Sequence, residues 1–177
     1  MRLEFVKAFV EITQEIFSEV LSDHKVATGQ LSLEWAPRVE GAVVTYIELS
    51  GDLLGKILLY MEYQTASAIA TRMLGKSLPS QQLVASCIAE LAGMAVGRVI
   101  SWINDKACHI QMSPPIITID TRVQAPSEGV ETLIFPIQTT CGEATLNVSF
   151  VDLDYSAEER TNSGREVVHG EEEQTAN

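Results

Sequence analysis

Two places in this 177-residue chain have residue types and spacing suited to acting on a bound partner. Glu90 stands in SCIAELAGMAVGRVISWIND (residues 86–105), where Ser86, Gly93, Gly97 and Ser101 surround it with small side chains. A carboxylate on a shallow helical ridge is suited to engage a cation on a surface that approaches closely. Each glycine in a helix interior costs about 1 kcal/mol relative to alanine, so two of them ask for a reason. The plain alternative is a solvated glutamate on a helix that tolerates its glycines. Glu11 and Gln14, in EITQ, make the second place, a pair at i and i+3 on one polar face. A glutamine carboxamide can hold a water molecule as an asparagine can. Against that reading, a Glu-x-x-Gln pair on a solvent face is usually only solvated.

Other chemistries find little support. His24, His109 and His169 share no spacing with one another or with Cys87, Cys108 and Cys141, so no zinc motif emerges. There is no Walker loop, no G-x-G-x-x-G and no G-x-S-x-G. SGDLLGK lies between two strand patterns and reads as a hairpin turn. Cys87 has no histidine placed to act as its base. Three cysteines without paired spacing read as free thiols in a reducing compartment. The net charge of −12 disfavours nucleic acid and anionic membrane, and it suits a partner with exposed lysines. Lys7 and Glu11 interrupt the apolar residues of the first stretch, so it is not a signal peptide. No run approaches the ~20 apolar residues of a membrane span. The expectation is a cytoplasmic protein.

The elements that position these residues follow from periodicity. Phe5, Phe9, Ile12, Ile16, Val20 and Leu21 recur at helical spacing, and Ser22-Asp23 ends that helix. Strands are expected near Leu31–Ala36, Ala42–Ser50 and Leu54–Tyr63, with Gly51-Asp52 turning the second into the third. Thr65 is expected to cap a short helix over ASAIATRML that Gly75 closes. Ser80 should cap a long helix from Gln81 to about Asp105. On a wheel, its Ile88, Leu91, Ala92, Ala95, Val99, Trp102 and Ile103 gather opposite Glu90. Strand patterns return at residues 109–120, 130–140 and 143–154, broken by Pro114-Pro115 and turned at Cys141-Gly142. From Ser156 the chain has two valines and a Glu171–Glu173 run, too little apolar surface to offset its ordering entropy. We therefore expect a domain over residues 1–154 and a disordered acidic tail over 155–177. The fold class is α+β, an antiparallel sheet packed with long helices. Each half runs helix then strands, which leaves an internal duplication open.

In order and spacing, four pieces carry a resemblance to a known family: MRLEFVKAFVEITQEIF, IELSGDLLGKILLYMEYQTASAIATRMLGK, AELAGMAVG and LIFPIQTTCGEATLNVSF. Together they resemble the CheX branch of the CheC/CheX/FliY family of chemotaxis phosphatases, from Met1 to about Asp152. The resemblance implies a CheC-like fold and a phosphorylated CheY-type response regulator as partner. It implies no cofactor or metal of the chain's own, because the regulator brings the Mg²⁺. The family signature is Glu-x-x-Asn, commonly with glycine four residues beyond the asparagine. Its glutamate engages the regulator's lysine, and its asparagine orients the water that attacks the phosphoaspartate. Glu90 and Gly97 match that signature, and Gly93 stands where the asparagine belongs. The partner-binding strip implied is Ser86, Glu90, Gly97 and Ser101, with Glu11 and Gln14 as a candidate second site. Three readings stay open: an aspartyl-phosphate phosphatase, a binding or adaptor module for a regulator, and a flagellar-switch-type structural part. Pairing of a second copy through an edge strand is compatible with each.

Overall fold

Phe5, Phe9, Ile16, Phe17 and Leu21 are buried along one side of the first helix, α1 (Leu3–Leu21), as their spacing requires. The computed structural model describes residues 3–34, 42–75, 79–106, 108–119 and 130–152. After α1 come two short strands, β1 (Ala27–Thr28) and β2 (Ser32–Glu34). The end of the strand expected over Leu31–Ala36 lies outside the described residues, as do the boundary at 154 and the tail. The expected hairpin is present as β3 (Val43–Gly51) and β4 (Leu53–Met61). Gly51 turns it at φ 103°, where a Cβ would meet the His109 carbonyl oxygen at 2.0 Å. Only glycine fits there.

The next helix, α2 (Tyr63–Leu74), starts earlier than the sequence implied. Glu62 holds the N-cap position without a side-chain cap, and Thr65 is a buried residue of the first turn. Thr65 is drawn inward because it packs against Gly142 of the last hairpin. Tertiary contact overrides the capping preference of threonine. Gly75 closes the helix in the left-handed conformation, as expected. The long helix is α3 (Gln81–Asn104), and the Ser80 hydroxyl caps it by accepting from the Leu83 N–H at 3.3 Å. Contrary to the sequence-based expectation, α3 is long and apolar enough to cross a bilayer. Its apolar side is instead taken up by the core, with ten residues from Val84 to Ile103 buried.

Four strands complete the described chain: β5 (Ile110–Met112), β6 (Ile116–Ile119), β7 (Thr132–Thr139) and β8 (Gly142–Asp152). The sheet runs β1-β7-β8-β4-β3-β5, with β2 also beside β7 and β6 also beside β3, and every pairing is antiparallel. Exchanging β1–β4 for β5–β8 returns the same order read from the other end. The topology thus has the symmetry that two helix-then-strands halves would produce. The three helices share one core with the sheet face bearing Val43, Ile47, Ile57, Leu59, Leu133, Phe135, Leu146 and Val148. On the opposite face, Val44 and Leu58 form a small separate cluster with Tyr46 and Tyr60.

One polar knot ties three elements at the end of α1. Asp23 is 4% exposed, and its carboxylate accepts from the Thr140 hydroxyl (2.6 Å), the Thr140 N–H (2.7 Å) and the Lys25 N–H (3.0 Å). Arg72 of α2 lies 3.5 Å from the same carboxylate and donates to the Thr140 hydroxyl at 2.6 Å. These hydrogen bonds, the Thr140 hydroxyl foremost, hold the Asp23 carboxyl down to about 2 against the opposing effect of burial. A carboxyl depressed on folding contributes stability that is complete above its unfolded value of about 4 and is lost as pH falls toward 2. Asp23→Asn should therefore lower the melting temperature at neutral pH and flatten its dependence on pH between about 4 and 2. Thermal melts of both proteins across that range check this, and parallel curves would count against it.

Candidate active site

The face of α3 turned from the core carries Glu90, exposed, in line with exposed Ser86 and Ser101. The strip is not uniformly open, because a bulge in the sheet edge leans over one side of it. In β3, Leu49 pairs with Met112 and Tyr46 pairs with Ile116, so three residues (Ser113, Pro114, Pro115) oppose two (Ile47, Glu48). Two prolines cannot donate to a ladder. Ser113 carries the pairing across the gap: its N–H donates to the Glu48 carbonyl at 2.9 Å, and its hydroxyl accepts from the Glu48 N–H at 3.0 Å. Pro115 is thereby aimed at α3.

The two interior glycines of α3 lie beside this segment, with room for a Cβ at each. A Cβ on Gly93 would meet Pro115 Cγ at 3.4 Å, and one on Gly97 would meet Met112 Sδ at 3.8 Å. Gly93 and Gly97 face the chain's own β5–β6 segment, which the sequence did not reveal. The only sequence sign of it was Pro114-Pro115. A cavity of about 350 Å³ remains between the helix and this segment, lined by Ser86, Ala89, Glu90, Gly93, Met94 and Pro115. It combines one carboxylate and one hydroxyl with apolar walls. The Ser86 hydroxyl donates back to the Gln82 carbonyl at 3.0 Å, so it is engaged within the helix.

Asn104, at the far end of the same face, is a structural residue. Its Nδ2 donates to the Ile110 carbonyl at 3.0 Å, and its Oδ1 accepts from the Ile110 N–H at 2.9 Å. The side chain imitates a strand neighbour and fixes where β5 leaves the helix. Asn104→Ala should cost about 1–3 kcal/mol by unpairing both the N–H and the C=O of buried Ile110. Urea unfolding of the variant measures this, and an unchanged midpoint would sink it.

The second pair is at a different place. Glu11 and Gln14 line a cleft of about 740 Å³ with Glu15, Ser18, Glu19, His24, Val26 and Arg98. It shares no lining residue with the cavity at Glu90. The Gln14 carboxamide is occupied: Nε2 donates to the Val26 carbonyl at 3.2 Å, and Oε1 accepts from the Thr28 hydroxyl at 3.4 Å. Gln14 thus holds β1 against α1. The backbone N–H of His109 donates to Asp52 Oδ2 at 2.8 Å beside the Gly51 turn, and its exposed imidazole Nδ1 lies 3.6 Å from the same oxygen. Among the described residues, no three His, Cys, Asp or Glu side chains converge as a metal site would require.

Comparison with known proteins adds three findings. The family model described as "Chemotaxis phosphatase CheX" matches residues 43–138, a span that includes all of α3. No curated protein sequence matches the chain. Among solved structures, a chain of the CheX–CheY–BeF3–Mg²⁺ complex from Borrelia burgdorferi is similar in fold at 17% identity and TM-score 0.75, covering 84% of this chain and 99% of its own. The chemotaxis protein CheX from Desulfovibrio desulfuricans is similar at 20% identity and TM-score 0.75, covering 84% and 100%. FliY from Thermotoga maritima is more distant, at 16% identity and TM-score 0.61 over 92% and 98%.

Proposed function

The chain belongs to the chemotaxis phosphatase CheX family, and on that premise we propose that it docks a phosphorylated CheY-type receiver domain through the α3 face carrying Glu90. The observation that carries the proposal is the cavity at Glu90: a carboxylate at the rim of an apolar recess on an otherwise shallow helix face. A regulator lysine entering there lays its apolar stem against Met94 and Pro115 and brings its ammonium to Glu90. The likeness to a chain from a complex with CheY supports that partner. The regulator supplies the phosphoaspartate and the Mg²⁺, and the encounter takes place in the cytoplasm.

Hydrolysis of an aspartyl phosphate needs a water in line with the P–O bond to the carboxylate. Attack forms the new P–O bond, breaks the acyl-phosphate bond and leaves inorganic phosphate and free aspartate. With Mg²⁺ and lysine stabilising the charge, what remains for the phosphatase is positioning. Position 93 has no side chain to do this. The chain therefore works as a docking module whose own hydrolysis is slow, an adaptor or sink for the regulator more than a fast terminator of its signal. Glu11 and Gln14 are the reserve pair, on the condition that Gln14 gives up Val26 and Thr28. The domain ends near residue 154, and the stretch beyond it is not needed for docking.

Phosphate release from a phosphorylated receiver domain, with and without this protein, tests the reading together with a binding titration. Binding with little acceleration supports it. Absence of binding overturns it.

A further inference from the structure

Leu83 and Met94 are large apolar side chains that α3 leaves exposed, at 44% and 40%. At ~100° per residue, they lie about 20° and 40° around the axis from Glu90, both to the same side. Eleven residues separate them, about 16 Å along the axis, and the carboxylate stands between. A single exposed leucine is ordinary. This pair differs because it brackets the charge on a strip otherwise made of exposed Ser86 and Ser101, and because Met94 also walls the cavity at Glu90.

We propose that Leu83 and Met94 are the apolar anchors of the docking face. They seat apolar side chains of the receiver domain on either side of the cation that meets Glu90, and so decide which regulators the chain accepts. The inference rests on the receiver-docking reading above. Charge selects the occupant. A second copy of this chain on the same face would bring another Glu90 against the first, which is unfavourable, and the one cation of α3, Arg98, lines the separate cleft with Glu11 and Glu15. An anionic membrane would be repelled by a chain of net charge −12. A protein surface with one cation flanked by apolar groups satisfies all three contacts.

The test is calorimetric titration of the full chain and its Leu83→Gln, Met94→Gln and Met94→Leu variants. The probes are the host's CheY-type receiver domains, each loaded with Mg²⁺ and beryllofluoride. Both positions are exposed, so melting temperatures should stay the same. Each glutamine variant should weaken binding about tenfold, because a half-exposed apolar side chain no longer gains from burial. The heat-capacity change of binding should become less negative, while the dependence of affinity on salt stays as it was. Met94→Leu should keep its affinity. If the glutamine variants bind as the unmodified chain does while Glu90→Lys loses binding, the anchors are wrong and the docking face stands. If no receiver binds, or Glu90→Lys changes nothing, the docking face falls and the anchors fall with it.

Discussion

Gly93→Asn should raise phosphate release from a phosphorylated receiver domain by about 10²-fold, from a starting rate close to the regulator's own, because one positioning group is being restored. The substitution suits this site. A Cβ at position 93 is in ordinary contact with Pro115 at 3.4 Å, so the helix need not move. Beyond that Cβ the cavity of about 350 Å³ leaves room for a carboxamide beside Glu90. Asparagine is also a better helix residue than glycine, by a few tenths of a kcal/mol. Single-turnover phosphate release compares the two proteins. Fast release by the unmodified chain would mean that another residue positions the water, with Gln14→Ala the next variant to make. No gain from Gly93→Asn at undiminished binding would mean the docking pose differs from the family's.

Glu90→Lys is expected to weaken receiver binding by 30-fold or more. Removing one partner of a buried charged contact typically costs about 2–5 kcal/mol, and the new ammonium adds repulsion against the regulator's lysine. Glu90 is exposed in the free protein, so the variant should fold normally and its circular dichroism should not change. Titration against a beryllofluoride-activated receiver gives the affinity directly. Equal affinity would move the docking surface elsewhere on the molecule.

The large elements were legible because their signals are local. The apolar spacing of α1, the Ser80 cap of α3, the Gly51 and Gly142 hairpins and the Gly75 stop each depend on a few neighbouring residues. What escaped was decided by contacts distant in sequence. Thr65 resembles a cap and is a packing residue, because Gly142 lies against it. β1 is two residues long, and Gln14 holds it in place across fourteen positions, through the Thr28 hydroxyl. The site shows the same division. Glu90 could be placed on an outward strip from the helix wheel alone. That Gly93 and Gly97 lie beside Pro115 and Met112 depends on a bulge whose register only the paired strands define. Two prolines mark where a ladder breaks, but not which way the chain leans afterwards.

The symmetric strand order has a consequence for how the chain is made. Its centre is the β4–β8 ladder, running from Leu53↔Asp152 to Met61↔Ala144, so the middle of the sheet is closed by the last of the described strands. At about 5–20 residues per second, synthesis takes on the order of 5–20 s to pass from the end of β4 to the end of β8. Throughout that interval β4 has β3 on one side and nothing from its own chain on the other. It presents Ile57, Leu58 and Leu59 on an unpaired edge, the kind of edge on which chains of one protein pair with each other. A sheet zipped shut from such distant parts also folds slowly once complete, since the longest loop must close before its central contacts form. The growing chain therefore carries an unpaired central edge for seconds, until β8 emerges to cover it.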